Sequence, residues 1–218
     1  MKNVCVILGG GGHAGVLIDC LNLNISRSVK LFGILDQNPN LWGHEFLGIP
    51  VLGSDDMLIQ LIEKGVNCFI VGLGGSGDTR PRQRLFELGL SFQLSPLTVI
   101  HPKSIVSQWA NIGPGSQILP GSIINARAEI GRNVIINSGA IVEHDCNISD
   151  HVHIATGARL AGSVRVGKGA HVGAGAIIRQ CINIGTGAVI GAGAVVVKDV
   201  PDHIVVVGVP AKPLKKMT

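Results

Sequence analysis

Aromatic residues are scarce in this sequence and are confined to its first half. Tyrosine is absent, and the five Phe and two Trp residues end at Trp109. A core built on aromatic rings is therefore excluded for the second half of the chain. Because such a shift in composition marks a change of architecture, we expect a boundary near Ser95. The predicted domains are residues 1–95 and 96–198, followed by a C-terminal extension at residues 199–218.

Concentrated charge of one sign is also missing, except near the C terminus. The formal net charge is +4, and the only dense basic cluster comprises Lys212, Lys215 and Lys216. This is too little for a nucleic-acid-binding surface, so no nucleic acid partner is expected. The basic cluster is either a solvated terminus or a contact for phosphate.

The sequence offers neither cysteine motifs nor long apolar runs. Its five cysteines are odd in number, and no pair has the spacing of a metal or redox site. We therefore expect reduced thiols in the cytoplasm and no bound metal. No apolar run is long enough to cross a bilayer, and the short run after Lys2 ends in four glycines, so neither membrane insertion nor a signal peptide is expected.

An uninterrupted six-residue period runs from Ile100 to Val196. Every sixth residue is a branched aliphatic, and from Ala110 onward the residue two before it is nearly always small. Six residues suit a short strand and a tight turn, so three repeats close one triangular coil of eighteen residues. The period predicts a β-solenoid of about five coils, in which each aliphatic residue points inward and stacks on its equivalent one coil away. It does not determine the hand of the coil.

The N-terminal part is predicted to be a small α/β unit of four or five parallel strands. A buried strand at residues 4–8 is followed by a glycine loop and by helical spacing at residues 14–23. Further strands are expected at residues 29–35, 49–52 and 68–71. Further helices are expected at residues 55–64, with Ser54 as N-cap, and at residues 78–88, with Pro81 in the first turn.

Two features of this unit could bind a ligand. Glycines 9–12 precede a helix N-terminus, which offers unpaired N–H groups to an anion. Nicotinamide binding is not favoured, because the usual dinucleotide spacing is absent. Asp36 ends the second strand, where a carboxylate can accept from a ribose or sugar hydroxyl or can form an Asx turn before Asn38.

In the solenoid, the most unusual outward residues surround His144. Glu143 and Asp145 flank it, and carboxylates can hold an imidazole in one tautomer, which suits a general base. Eighteen residues later, Gly162 is predicted to lie directly above His144, where its N–H could face a substrate oxygen. His144 could equally be an ordinary exposed histidine. Cys146 occupies a small inward position, so we interpret it as core rather than as a nucleophile.

These motifs together resemble the bacterial hexapeptide-repeat sugar acyltransferases of the PglD/NeuD family, over nearly the whole chain. The resemblance rests on the Gly11-Gly12-His13 loop, Asp36, the Glu143-His144-Asp145-Cys146 run, the uninterrupted coils, and the closing segment Gly208-Val209-Pro210-Ala211-Lys212. It implies a Rossmann-like N-terminal domain that binds a nucleotide-linked sugar. It also implies a left-handed parallel β-helix that trimerises and binds acetyl-CoA between neighbouring solenoids, with the C-terminal extension near the coenzyme.

The resemblance also implies roles for individual residues. His144 is the general base, and Asp145, which is Glu in close relatives, steadies the imidazolium. Asn137 lies near the reacting amine. Cofactor contacts are implied for His153, Gly162, Ala174 and Ala192. Contacts to the sugar nucleotide are implied for Gly11, Gly12, His13, Asp36 and Gln37, the last of which is a second Asp in some relatives.

The function implied by the resemblance is acetyl transfer from acetyl-CoA to a UDP- or GDP-linked 4-amino-4,6-dideoxy sugar of a bacterial surface glycan. Transfer would be direct, without an acyl-enzyme. Two alternatives stay open at this point. One is O-acetylation of a sialic-acid-type sugar on the same architecture, and the other is a non-catalytic solenoid that serves as a scaffold or binding module.

Overall fold

The computed structural model describes residues 3–23 and 29–216. The chain divides into two compact units. The first comprises Met1–Gly74 and Pro81–Val99, and the second comprises Gly75–Arg80 and Ile100–Thr218. The composition of the sequence did not predict that Gly75–Arg80 would belong to the second unit.

The first unit is built on a six-stranded sheet with the strand order β3-β4-β2-β1-β5-β6. Its strands are β1 (Asn3–Leu8), β2 (Val29–Leu35), β3 (Glu45–Phe46), β4 (Ile49–Gly53), β5 (Cys68–Val71) and β6 (Ser95–Pro96). The helices are α1 (Gly12–Leu23), α2 (Leu58–Glu63) and α3 (Arg80–Ser91), with short 3₁₀ helices at Pro39–Leu41 and Asp55–Met57.

The central strands of this sheet are apolar, and they share a core with residues of the helices. Residues Cys5 to Leu8 of β1 are fully buried, as are all four residues of β5. Continuous apolar runs are typical of parallel strands with both faces covered. The pairs between β1, β2, β4, β5 and β6 are indeed parallel, which confirms the predicted Rossmann-like class.

Several predicted element boundaries in this unit were wrong. The single helix expected at residues 55–64 is a 3₁₀ turn followed by α2, although Ser54 does cap it through Asp56 N–H. The helix expected from residue 78 begins at Arg80. The antiparallel pair of β3 and β4 was missed, because β3 has only two residues and its turn uses Leu47 at positive φ.

The second unit is a three-sided stack of strands. The strands up to Val196 have two residues each and pair in parallel with the strand eighteen residues away, whereas the last two strands are longer and pair antiparallel with each other. The first face comprises Val99–Ile100, Gln117–Ile118, Ile135–Ile136, His153–Ile154, His171–Val172 and Val189–Ile190, and ends with Ile204–Val207 and Lys212–Lys216. The second face comprises Ile105–Val106, Ile123–Ile124, Ile141–Val142, Arg159–Leu160, Ile177–Ile178 and Val195–Val196. The third face comprises Asn111–Ile112, Glu129–Ile130, Asn147–Ile148, Arg165–Val166 and Asn183–Ile184.

The predicted inward register of the aliphatic residues is confirmed. From Ile118 to Val196 every sixth residue is buried, and Ile118, Ile136, Ile154 and Val172 stack in one column. The first coil differs, because no coil lies beneath it. Ile100 is 41% exposed there, so its predicted inward position is not buried.

The outward residues distinguish the three faces. Those of the third face are polar, namely Asn111, Glu129, Asn147, Arg165 and Asn183. Those of the second face are aliphatic except for one arginine, namely Ile105, Ile123, Ile141, Arg159, Ile177 and Val195. An exposed aliphatic row on one face of a solenoid is typical of a contact surface.

None of the helices in the described ranges has the length and apolar character needed to span a bilayer.

Candidate active site

The candidate catalytic residues lie in the turns that join the second face to the third. We call these turns the second corner; its residue pairs are 126–127, 144–145, 162–163 and 180–181. Because the coil repeats every eighteen residues, His144 and Gly162 occupy the same position in successive coils. Asp145 and Ser163 follow them with φ angles of 61° and 59°. This left-handed conformation is costly for a residue with a side chain, about 1 kcal/mol each.

Asp145 holds the imidazole of His144. His144 Nδ1 lies 2.6 Å from Asp145 Oδ2. An ionised carboxylate can only accept, so Nδ1 carries the proton and Nε2 presents a lone pair outward. Since the His144 side chain is 56% exposed, Nε2 can reach a substrate proton. Of the two flanking carboxylates, it is thus Asp145 that orients the base.

A second partner of Asp145 is Arg127, which the sequence analysis did not single out. Arg127 Nε and Nη2 donate to Asp145 Oδ1 and Oδ2 at 2.6 and 2.9 Å. The hydrogen bonds from Arg127, and then that from His144, lower the pKa of Asp145 from its ordinary 3.8 to about 2. The carboxylate is therefore ionised throughout the neutral range. The eighteen-residue spacing from Asp145 is the signal that could have found Arg127.

Gly162 lies against the imidazole, as the coil arithmetic predicts. A Cβ added to Gly162 would lie 2.7 Å from Cε1 and 2.8 Å from Nε2 of His144, closer than atoms of this kind approach. Glycine is therefore needed at position 162 for the observed placement of the ring. The backbone there stays in contact with the coil beneath through Ser163 N–H, which donates to the His144 carbonyl at 2.9 Å.

The N–H of Gly162 is available to a ligand. Within the described ranges no protein group accepts a hydrogen bond from it. Arg132, at the equivalent place in another turn, shows what such an N–H can do, since it donates to Asp150 Oδ1 of the next coil at 2.7 Å. At Gly162 the same outward N–H can bind an oxygen that develops negative charge, which is the requirement of an oxyanion hole.

Asn137 and His153 also lie together, but on the first face and its adjoining turn. Asn137 Nδ2 lies 3.1 Å from His153 Nε2. The His153 ring packs edge-on against His171, with ring centroids 4.9 Å apart. Burial lowers the pKa of His171, which favours its neutral form. His153 and His171 thus lie directly over one another in successive coils.

Ala174 and Ala192 belong to a different corner from His144. They lie in the turns that join the first face to the second, and Gly193 N–H donates to the Ala174 carbonyl at 2.8 Å. One side of the triangle, on the order of 15–20 Å, separates this first corner from the second. Within one chain, the predicted cofactor residues therefore form two groups rather than one.

An open groove of about 640 Å³ lies on the second face, beside the second corner. Its lining residues are Ala161, Ile177, Ile178, Arg179, Gln180, Cys181, Val195 and Val197. The groove begins next to Gly162 and has an aliphatic floor with polar side chains at positions 179 and 180. Such a lining suits a flexible chain that carries amides, with a charged end group.

Cys146 belongs to the core, as predicted. It is 1% exposed, and its Sγ donates to the Ala161 carbonyl at 3.2 Å. Burial raises the pKa of the thiol to about 11, so it is protonated at neutral pH. A protonated, enclosed thiol is a poor nucleophile.

In the first unit, the glycine loop is open to a ligand. A Cβ added to Gly11 or Gly12 would have no atom within 4 Å. Packing therefore does not explain these glycines, whereas close approach of a ligand to the backbone would. Helix α1 begins at Gly12, two residues earlier than predicted, so His13 lies in its first turn.

Asp36 holds this loop in place. Its Oδ2 accepts from Gly10 N–H at 2.6 Å and its Oδ1 accepts from Asn38 N–H at 2.8 Å. The second contact is the Asx turn that the sequence analysis considered. Gln37 is tied elsewhere, since its Nε2 donates to Asp55 Oδ2 at 2.8 Å.

Within the part of the chain that the structure describes, acidic, sulfur and imidazole side chains do not gather into a metal site. Across residues 3–23 and 29–216, no group of three or more His, Cys, Asp or Glu residues is arranged to hold a metal ion. All five cysteines are free thiols.

An outward imidazole oriented by a carboxylate, set in a three-sided parallel β-solenoid, defines an acyltransferase of the hexapeptide-repeat class. Comparison with known families agrees. Residues 5–88 match the PglD N-terminal domain, and residues 110–144 match the bacterial transferase hexapeptide (six repeats). No curated protein sequence matches the chain.

Solved structures match over almost the whole length. PerB from Caulobacter crescentus, in complex with CoA and GDP-perosamine, is 38% identical, with 99% of each chain covered and a TM-score of 0.89. A variant of the perosamine N-acetyltransferase from the same organism, with a histidine replaced by asparagine, is 37% identical, with 99% of each chain covered and a TM-score of 0.90. The acetyltransferase domain of PglB from Neisseria gonorrhoeae, with acetyl coenzyme A, is 32% identical, covering 98% of this chain and all of the other, with a TM-score of 0.88.

The chain therefore belongs to the PglD/NeuD family of bacterial hexapeptide-repeat sugar acetyltransferases. The predicted fold class, a Rossmann-like unit followed by a left-handed parallel β-helix, is confirmed with it.

Proposed function

We propose that the protein transfers the acetyl group of acetyl-CoA to the amine of a nucleotide-linked 4-amino-4,6-dideoxy sugar, with GDP-perosamine as the first substrate to test. The observation that carries this is the His144–Asp145 pair beneath the unengaged N–H of Gly162. The relatives support the substrate class, since PerB was solved with CoA and GDP-perosamine.

The residues of the second corner suit direct transfer. The amine nitrogen attacks the thioester carbonyl, and His144 Nε2 removes the proton that the nitrogen loses. Asp145 stabilises the imidazolium, and Gly162 N–H binds the oxyanion of the tetrahedral intermediate. When the carbon–sulfur bond breaks, the thiolate of CoA leaves with the proton returned from the imidazolium. The products are the N-acetyl sugar and CoA, and no acyl-enzyme is formed.

The first unit is proposed to bind the sugar nucleotide. Gly11, Gly12 and the N-terminus of α1 offer backbone N–H groups to the phosphates. His13, Asp36 and Gln37 adjoin this loop. Asp36 keeps lone pairs for a hydroxyl beyond its two internal contacts, and Gln37 is positioned by Asp55 at the end of a neighbouring strand.

The cofactor is proposed to lie between solenoids of a homotrimer. Ala174, Ala192 and the Asn137–His153 pair lie away from His144 within one chain, whereas a neighbouring chain could bring its first corner to the second corner of this one. The aliphatic row on the second face lies between these two corners, and Ile105, at one end of it, is 65% exposed. A cyclic trimer would bury this row and complete the site. We place the enzyme in the cytoplasm, in keeping with its five free cysteines.

A substrate panel tests this proposal. Thiol release from acetyl-CoA is measured with GDP- and UDP-linked 4-amino-4,6-dideoxy sugars and with sialic acids, and the products are analysed by mass spectrometry. We expect release and an N-acetyl product with a nucleotide-linked amino sugar. Release with sialic acid alone would favour O-acetylation, and release with none of them would contradict the proposal.

A further inference from the structure

Arg127, Asp145 and His144 form a continuous hydrogen-bonded row along the second corner. Asp145 Oδ2 is shared, because it accepts from Arg127 Nη2 at 2.9 Å and lies 2.6 Å from His144 Nδ1. Asp145 Oδ1 accepts from Arg127 Nε at 2.6 Å. The guanidinium therefore engages both carboxylate oxygens, and the imidazole engages one of them.

The two hydrogen bonds from the Arg127 guanidinium fix the orientation of the Asp145 carboxylate, which its other surroundings leave free to rotate. The Asp145 side chain is 34% exposed, so water can compete for its oxygens. A carboxylate held only by the imidazole could rotate and lose Nδ1, whereas two parallel N–H···O bonds fix both the position and the plane of the group. Arg127 and Asp145 both occupy the left-handed turn position, with φ angles of 60° and 61°, which directs both side chains along the same corner.

A second Arg–Asp pair in the solenoid serves as an internal comparison. Arg132 and Asp150 are also one coil apart, and Arg132 Nη2 lies 2.8 Å from Asp150 Oδ2. This pair lies in the turns between the third face and the first, where no base is proposed. Exposure is similar, with 68% and 34% for Arg127 and Asp145 against 51% and 27% for Arg132 and Asp150. Any general contribution of such pairs to stability should therefore be alike for the two.

We propose that Arg127 is a positioning residue of the reaction, which acts through Asp145 by holding its carboxylate against Nδ1 of His144. This inference rests on the proposed function, because it assigns Arg127 a part in the work of the general base. In this proposal Arg127 touches neither substrate nor cofactor. Its influence passes entirely through the carboxylate, so it disappears when the carboxylate is absent.

The test compares Arg127→Met with Arg132→Met in the full-length enzyme. We expect Arg127→Met to lower kcat roughly tenfold, the size of a typical coupling between contacting polar residues. The KM values for acetyl-CoA and for the sugar nucleotide should stay unchanged. Arg132→Met should leave kcat unchanged while shifting the melting temperature by a similar amount. Arg127→Lys, which keeps the charge but not the fork, should recover only part of the loss.

A double-mutant cycle then tests whether Arg127 acts through Asp145. In an Asp145→Asn background, Arg127→Met should cause no further loss of kcat. An additive loss, or a rise in KM that would indicate direct contact with a substrate, would overturn the inference, as would equal kcat values for wild type and Arg127→Met. His144→Ala is measured in the same series. If it retains activity, the proposed function itself fails, whereas a loss in His144→Ala without any loss in Arg127→Met removes only the role of Arg127.

Discussion

The imidazole of His144 occupies the space that a side chain at residue 162 would need. A Cβ on Gly162 would lie 2.7 Å from Cε1 of His144, and the φ angle of Gly162 lies outside the left-handed region. Since its backbone conformation suits any residue, the absence of a side chain is required by the histidine alone.

Gly162→Ala should therefore damage catalysis far more than folding. The methyl group displaces the imidazole, and we expect kcat to fall on the order of 100-fold, as misplacement of a catalytic group by about 1 Å can do. Steady-state kinetics and a thermal melt measure the two effects. In a His144→Ala background the same substitution should leave the melting temperature unchanged, because the clash no longer exists. A loss of stability there would show that the collision is with another group.

The ionisation of Asp145 should make stability depend on pH in the acid range. Its pKa is lowered from 3.8 to about 2, mainly by Arg127. A lowered folded-state pKa stabilises the fold above the unfolded value and loses that effect as the pH falls through the folded value. The difference in urea midpoint between wild type and Asp145→Asn should thus shrink between about pH 4 and pH 2. A difference that shrinks only near neutral pH would contradict the ion pair.

Cys146→Ala should retain turnover. Its thiol is buried and protonated at neutral pH, since burial raises its pKa to about 11. Alkylation of the native enzyme followed by peptide mass spectrometry should modify the exposed Cys181 and leave Cys146 unmodified. Loss of turnover in a folded Cys146→Ala enzyme would instead point to an acyl-thioester intermediate.

Ile105→Lys should weaken self-association. The substitution places a charge in the aliphatic row of the second face, where burial in a trimer would be costly. Sedimentation velocity should show smaller species than for the wild type, and activity should fall with them, although Ile105 is two coils away from His144. Asn111→Lys is the matched control in the same coil. It faces outward on the polar third face, beside Glu129, and should leave the assembly intact.

Much of the second unit followed from the sequence, because a strict period fixes both the direction and the partner of every side chain. The burial of Cys146 follows from the six-residue period. The position of His144 beneath Gly162 follows from the eighteen-residue length of one coil. Arg127 obeys the same arithmetic but was missed, because it lies eighteen residues before Asp145 and not beside His144 in the sequence. The division of the cofactor residues between two corners also follows from the period, and it becomes evident once the turns are assigned to corners.

The first unit was harder to predict, because its elements are short and local preferences compete. Strand β3 has two residues and depends on its partner β4, so no periodicity could show it. Asp55 and Asp56 form a 3₁₀ turn before α2, where a continuous helix was expected. The contact between Gln37 and Asp55 joins segments eighteen residues apart, and tertiary packing alone brings them together.

The turnover of His144→Ala with a nucleotide-linked amino sugar tests the central claim most directly. Loss of a general base should lower kcat by at least about 100-fold while the KM for acetyl-CoA changes little. A decrease of less than about tenfold would be too small for a residue that removes the proton from the attacking amine, and it would contradict the mechanism.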